Sequence, residues 1–335
     1  MAMEPPLYIK ISDAELLARL QSALASRASA TDFWRALTDY PLTLLREGNV
    51  AQAQALLIEI LRKCRSLAPQ DYPNIHKGSP FYWLAISAFL LHDYQTAGFF
   101  LDATISEDLQ WGAEAEKAPT PAMSFAMLEG GTLNPSAQKI VQAVEAKAQV
   151  CLEFYKSLTG KPVWLPDLAL PRLRMRFLRP ALSKDKPSWR RLAIALITFF
   201  SEWDFRSTLF DLYPVGGAAG PFYLHLLKGC VLFESLAREN PKKKPTGEGL
   251  EAILQELGAE LGITGLPKRG GSFDQILDDL AQAENKIETA LLITSRLRGV
   301  SGIDLQDAPP LSRGQYQRLF EMTAAACLYI IACLY

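Results

Sequence analysis

The sequence has few of the side chains that hold metals or perform acid–base chemistry. Its 335 residues include 3 histidines and 5 cysteines, and no two cysteines form a C-x-x-C pair. A structural zinc site needs such ligands at close spacing, so we expect no metal and no cofactor. The glycine-rich residues 215–222, VGGAAGPF, lack the Gly-Lys-Ser/Thr ending of a phosphate-binding loop. Scattered thiols in odd number are typical of the reducing cytoplasm.

An excess of charge of one sign is also missing. The chain carries 35 basic and 36 acidic residues, a net charge of -1, which argues against nucleic-acid binding by the surface as a whole. The most apolar segment is MTAAACLYIIACLY, the last 14 residues, which carry no charge, and a bilayer span needs roughly 20. We therefore predict a buried C-terminal helix and a cytoplasmic protein with no membrane partner.

Strand-like alternation is almost absent, whereas helical periodicity recurs along the whole chain. Capping boxes begin at Ser12 and Ser312, and residues 136–157 read as one long helix. Pro41 predicts a kink or an end in a helix over residues 31–46. Residues 272–298 carry a continuous apolar stripe and predict a single helix. The fold class is therefore predicted as all-α, with helical hairpins followed by a helical bundle.

Two segments of the first half are similar. Residues 47–61 and 91–105 each place an alanine, Ala53 and Ala97, after a turn, and the alanines are 44 positions apart. Small residues let paired helices approach closely. The stretch FYWLAISAFLLHDYQTAGFFLDA resembles a tetratricopeptide repeat, although that family's period is near 34 residues. Two unrelated hairpins in an irregular bundle are an equal alternative.

The aromatic residues of this region suggest a groove for a protein or peptide partner, the candidates being Tyr82, Trp83 and Tyr94. Core packing is the alternative interpretation of such a cluster. We predict a tetratricopeptide-like region over residues 1–160, a basic helical connector over 161–215 and a helical bundle over 216–335.

The connector contains the one strongly basic stretch, PRLRMRFLRPALSKDKPSWRR, residues 171–191. Such a run is either a solvated helix face or a surface for RNA phosphates. The candidate RNA-binding residues are Arg172, Arg174, Arg176, Arg179, Arg190 and Arg191.

Arg298 lies on the same side of its helix as the apolar residues Ile287 and Leu291. It either complements the helix dipole, keeps its guanidinium in water above buried methylenes, or faces a polar site where helices or protomers meet.

The segment LLKGCVLFESLAREN is followed along the chain by ETALLITSRLRGVSGIDL, and this order resembles that of prokaryotic HEPN domains. These domains are four-helix bundles, and many of them are dimeric ribonucleases. Their motif is an Arg, a polar residue and, a few residues later, a His. Arg298 matches the Arg, whereas Ile303 stands where the His belongs.

The resemblance implies a degenerate HEPN domain, because isoleucine cannot transfer protons. The predicted function is a non-catalytic interaction protein that binds a protein partner, is a candidate for RNA binding and forms a homodimer through its C-terminal bundle. The family implies a setting in prokaryotic defence, toxin–antitoxin control or stress. One alternative is an active ribonuclease with catalytic residues Arg298 and Asp304, assisted by His225. The other is a helical scaffold with no nucleic-acid role.

Overall fold

The computed structural model describes residues 11–159, 165–212, 219–242, 244–263, 272–300 and 309–335. These ranges are dominated by α-helices and contain no strand, only the isolated bridges Glu114–Ala118 and Thr159–Lys286. The predicted all-α class is confirmed. The backbone contacts divide the chain into unit 1, Met1–Ile140 with Leu182–Lys186, and unit 2, Val141–Ala181 with Pro187–Tyr335.

Unit 1 is a succession of helices joined by short connections. They are α1 Asp13–Ala23, α2 Arg27–Arg46, α3 Val50–Leu67, α4 Gly78–Leu90, α5 Tyr94–Gln110, α6 Pro121–Ala126 and the beginning of α7 Pro135–Ser157. The predicted cap of α1 is present, because the Ser12 side chain accepts a hydrogen bond from the Glu15 backbone amide. A similar bond to Ser26 begins α2.

The small residues that the sequence singled out are buried in unit 1. Ala53 and Ala97 are both fully buried, and α4 packs against both α3 and α5. The helix containing Pro41 does not end there but continues to Arg46. Pro41 is itself buried, beside the buried Leu44 and Leu45, so packing outweighs the loss of one backbone hydrogen bond.

Unit 2 consists of the rest of α7 and a helical bundle. Its further helices are α8 Leu170–Leu173, α9 Arg179–Ala181, α10 Pro187–Leu212, α11 Gly220–Arg238, α12 Leu250–Glu256, α13 Phe273–Ala281, α14 Ile287–Gly299 and α15 Arg313–Leu334, with a π-helical turn Arg174–Leu178 between α8 and α9. Pro221 occupies the first turn of α11, where its missing amide costs nothing.

Helix α15 forms the centre of the bundle, where α10, α11 and α14 pack on it. It begins with the predicted capping box of Ser312 and Gln315, and its aromatic residues Tyr316 and Phe320 are buried. By length and composition α15 is apolar enough to cross a membrane, but 78% of its most apolar window is buried inside the protein. Its place in the bundle core accounts for its apolar composition.

The prediction of one helix over residues 272–298 is wrong. The segment forms two helices, α13 and α14, separated at residues 282–286. At the break, the Thr159 amide donates to the Asn285 carbonyl at 2.8 Å, and the Ile287 amide donates to the Thr159 carbonyl at 3.0 Å. These bonds to a distant residue replace helical ones, and no Gly or Pro in the segment signals the break.

Candidate functional site

Arg298 lies in the last turn of α14 and is paired with an acidic residue of α11. Its Nε donates to Glu234 Oε2 at 2.7 Å, and the same carboxylate accepts hydrogen bonds from Nε and Nη2 of Arg238 at 3.1 and 2.8 Å. Burial favours the protonated form of Glu234, but the two arginines outweigh it and hold the pKa of Glu234 below its ordinary value. The guanidinium is thus engaged in an ion pair between helices.

Ile303 and Asp304, which complete the motif region, lie outside the described residues. The structure describes the environment of His225, which is fully buried in α11. Glu234, the partner of Arg298, lies nine residues further along the same helix, which is about 13 Å at ~1.5 Å per residue. The helix therefore separates the imidazole from the ion pair by more than two turns.

Both ring nitrogens of His225 have partners. Nε2 lies 2.9 Å from the Phe199 carbonyl, so it carries the proton and donates. Nδ1 then accepts from the Tyr316 hydroxyl, 2.6 Å away. Burial lowers the pKa of His225 to about 4. A neutral ring enclosed by aromatic side chains suits a core role, and it has no nitrogen left for proton transfer to a substrate.

The basic stretch does not present its six arginines as one surface. Arg190 is buried, Arg172 is paired with Asp167 at 2.6 Å, and Arg174 with Glu145 at 2.8 Å. Arg179 is partly buried, whereas Arg176 and Arg191 are exposed. Arg172 is exposed as well, but its guanidinium is engaged by Asp167.

Two of the three candidate partner residues line a cavity. Tyr82 and Trp83, consecutive on α4, border a cavity of about 310 Å³ within unit 1. Tyr94 is not among its lining residues; it is buried beside Phe89, with a ring-centroid distance of 6.3 Å, and its hydroxyl lies 3.0 Å from His92 Nδ1. The sequence pattern therefore points to two residues that line this cavity, but it does not indicate the cavity itself.

The same cavity contains a charged cluster that the sequence did not reveal. His76 Nε2 lies 2.9 Å from Asp108 Oδ1, and Arg27 Nη2 donates to the same oxygen at 3.0 Å. The side chains of His76 and Asp108 are 4% and 5% exposed, and that of Arg27 is 36% exposed. The three residues belong to distant segments of the chain, and the one local signal is a histidine just before the glycine that begins α4.

No family model matches this chain. No curated protein and no solved structure is significantly similar to it. Function therefore rests on the geometry of the described side chains. Among those residues, no group of three or more His, Cys, Asp and Glu could hold a metal ion.

Gly78 allows the His76–Asp108 pair to form beside α4. A Cβ atom at this position would lie 2.7 Å from His76 Cε1 and 2.8 Å from Asp108 Oδ1. The Trp34 indole donates to the His76 carbonyl at 2.6 Å, and the Trp111 ring packs edge-on against the imidazole at 5.7 Å. The cluster is therefore held in position from several sides, as expected of a preorganised binding site.

Proposed function

We propose that this protein is a non-catalytic helical interaction protein, with a HEPN-like C-terminal bundle that does not cleave RNA and an N-terminal unit that contacts a protein partner. The observation that carries the proposal is the ion pair of Arg298 with Glu234. The pair gives Arg298 a structural role between α14 and α11 that does not depend on a substrate, which favours a bundle kept for binding over one kept for cleavage.

His225 supports the same conclusion. An active ribonuclease with a displaced histidine requires an accessible ring nitrogen within hydrogen-bond reach of the substrate. Both nitrogens of His225 are engaged in the core. The engagement of His225 in the core therefore argues against an active site built from Arg298, Asp304 and His225.

Incubation of the full-length protein with mixed cellular RNA tests this part of the proposal. We expect no cleavage above that of a matched preparation of Arg298→Ala. Cleavage by the wild type that Arg298→Ala abolishes, with Arg238→Ala as the matched control that retains it, would establish the ribonuclease alternative.

The surface of unit 1 offers a contact area for a protein partner. Phe99 on α5 is 67% exposed, its ring lies 5.1 Å from that of Phe100, and Phe100 lies 5.8 Å from Phe81. Aromatic side chains in a row are enriched at the centres of protein interfaces. We define Phe81, Phe99 and Phe100 as the aromatic row and assign it to the protein partner.

Affinity purification of the tagged full-length protein tests the aromatic row. We expect a protein that is recovered with the wild type and with Met175→Ser but lost with Phe99→Ser. Met175 is a matched control because it is 62% exposed and lies in unit 2. If the wild type and Phe99→Ser recover the same amount of the partner protein, the aromatic row is not part of the interface.

We further propose that the homodimer forms through α11. Leu224 and Val231 are 49% and 48% exposed, and a separation of seven residues places them on one face of the helix. An exposed apolar stripe of this kind is typical of a helix that packs against a second copy. Light scattering should give a dimer for the wild type and a monomer for the double variant Leu224→Glu, Val231→Glu.

RNA binding is the second candidate function, and the exposed Arg176 and Arg191 are the observation that favours it. Retention of labelled RNA should fall for the double variant Arg176→Glu, Arg191→Glu and should weaken with salt. Unchanged retention, or no retention by the wild type, would favour a scaffold with no nucleic-acid role.

A further inference from the structure

The cavity beside α4 is a built site in a single unit of the protein. Its lining residues all lie between Arg27 and Asn134, within unit 1. Its volume of about 310 Å³ is in the range of pockets for small organic ligands. Buried Tyr82 and Ala122 form its interior, and exposed Pro121 and Thr132 lie at its opening.

The hydrogen bonds around Tyr82 leave its hydroxyl proton unused. The Ala137 amide donates to Asn134 Oδ1 at 3.1 Å, which identifies the other terminal atom of Asn134 as nitrogen. That Nδ2 donates to the Tyr82 hydroxyl oxygen at 3.2 Å. Because the hydroxyl acts as acceptor in this bond, its own proton is available to a ligand. Burial raises the pKa of Tyr82, so the proton is retained at neutral pH.

Arg27 is the second donor. Its Nη2 donates to Asp108, but a guanidinium has five N–H groups in a planar fork that fits a carboxylate. Asp108 accepts from both His76 and Arg27, so its negative charge is compensated within the cluster. Arg27 and Asp108 are the charged residues among those that line the cavity.

Two of the threonine hydroxyls that line the cavity are used within their helices. Thr31 donates to the Arg27 carbonyl at 2.9 Å, and Thr104 donates to the Phe100 carbonyl at 2.7 Å. The strongest polar groups left for a ligand are therefore donors, on Arg27 and Tyr82. A donor-rich cavity with an aromatic wall at Trp83 is complementary to an anionic acceptor attached to an apolar body.

We propose that this cavity binds a small organic monocarboxylate with a flat apolar body. The carboxylate accepts hydrogen bonds from Arg27 and Tyr82, and the body packs against Trp83. His76 is a positioning residue: it holds Asp108, which orients Arg27. The role is binding and not catalysis, because Nε2 of His76 is bonded to Asp108, and Nδ1 is buried with no hydrogen-bond partner among the residues that the structure describes.

Titration calorimetry on the full-length protein tests the proposal with benzoate and phenylacetate as probes and with their amides, benzamide and phenylacetamide, as neutral counterparts. We expect the carboxylates to bind in the millimolar range or tighter, and the amides at least tenfold more weakly, because an ionised acceptor roughly doubles the strength of a hydrogen bond. Arg27→Gln should weaken carboxylate binding at least tenfold.

Two further variants keep the test decisive. Tyr82→Phe removes only the hydroxyl and should weaken benzoate binding about tenfold, even if Arg27→Gln fails to fold. Arg35→Gln is the matched control, since Arg35 lies on the same helix with a side chain 73% exposed and paired with Asp32, and it should bind benzoate like the wild type.

The proposal is overturned if neither carboxylate binds the wild type, if the amides bind equally well, or if Tyr82→Phe binds benzoate as tightly as the wild type. It goes beyond the proposed interaction function, whose tests use RNA cleavage and the aromatic row. A failure here therefore leaves those results unaffected.

Discussion

The guanidinium of Arg298 and the carboxylate of Glu234 join the end of α14 to the second half of α11 at 2.7 Å. The pair is partly buried, with side chains 31% and 14% exposed, and Arg238 reinforces it from the same helix as Glu234. The resemblance to HEPN domains interprets Arg298 as the remnant of a reactive site. In the structure this arginine has a structural partner, Glu234.

Removal of this ion pair should lower stability by a modest amount. We expect Arg298→Gln to cost about 1 kcal/mol of unfolding free energy, and Glu234→Gln somewhat more because two arginines lose their acceptor. Urea denaturation of the single and double variants measures the coupling. Strict additivity of the two single effects would show that the pair contributes nothing.

The buried His225 should make stability depend on pH. Its pKa is about 4 in the folded protein and 6.5 ordinarily, so the unfolded chain binds the extra proton between these values and stability falls as pH decreases through that window. Between pH 6.5 and 4.5 the loss should be roughly 2 kcal/mol.

The carboxylates of Glu202 and Glu234 do not obscure this effect. Burial opposes ionisation of both, but their basic partners hold each pKa below the ordinary 4.5. Their contribution is present above 4.5 and is lost only below it. The pH slope of unfolding free energy should flatten in His225→Gln. It should persist in large part in the control His92→Gln, because burial also lowers the pKa of His92 but this side chain is exposed. Equal slopes in all three proteins would contradict the assignment.

Two glycines in helices should respond oppositely to alanine. At Gly229 on α11 a Cβ would lie 2.6 Å from the Phe199 ring and 2.7 Å from Thr323 Cγ2. At Gly299 it would meet no atom of the described residues within 4 Å. Gly229→Ala should cost roughly 1–3 kcal/mol through overpacking, and Gly299→Ala should be neutral or stabilise by up to about 1 kcal/mol. Thermal unfolding of both variants measures this, and a tolerated Gly229→Ala would mean that the helices are not closely packed there.

The thiols should be unreactive in the native protein. Burial raises the pKa of Cys64, Cys151 and Cys230 to about 12 and that of Cys333 to about 11, so little thiolate exists at pH 8. Reaction with an aromatic disulfide reagent should be at least about a hundredfold slower than in denaturant, with the partly exposed Cys333 reacting first. Rapid labelling of a second thiol would indicate local opening of the core.

Much of the helical framework was predictable from local pattern. The cap at Ser12, the capping box at Ser312 and the helix over residues 136–157 depend on neighbours within one or two turns, and the structure confirms them. At Ser12 it shows one half of the predicted box, the hydrogen bond from the Glu15 amide. Ala53 and Ala97 are buried, in keeping with the periodicity of their helices. The break at residues 282–286 was missed because Thr159, more than a hundred positions earlier, supplies the competing hydrogen bonds.

By itself the sequence determined that the chain is helical, where several of its helices begin, and which apolar stripes are buried, because these properties arise from interactions within a few residues. Only the tertiary structure decided what the polar residues do. It paired Arg298 with Glu234, enclosed His225 between Phe199 and Tyr316, and brought Arg27, His76 and Asp108 to one cavity. The physical reason is that a charge or an imidazole acquires its role from partners within about 3 Å, and the partners of these residues lie on other helices, at separations that no local pattern encodes.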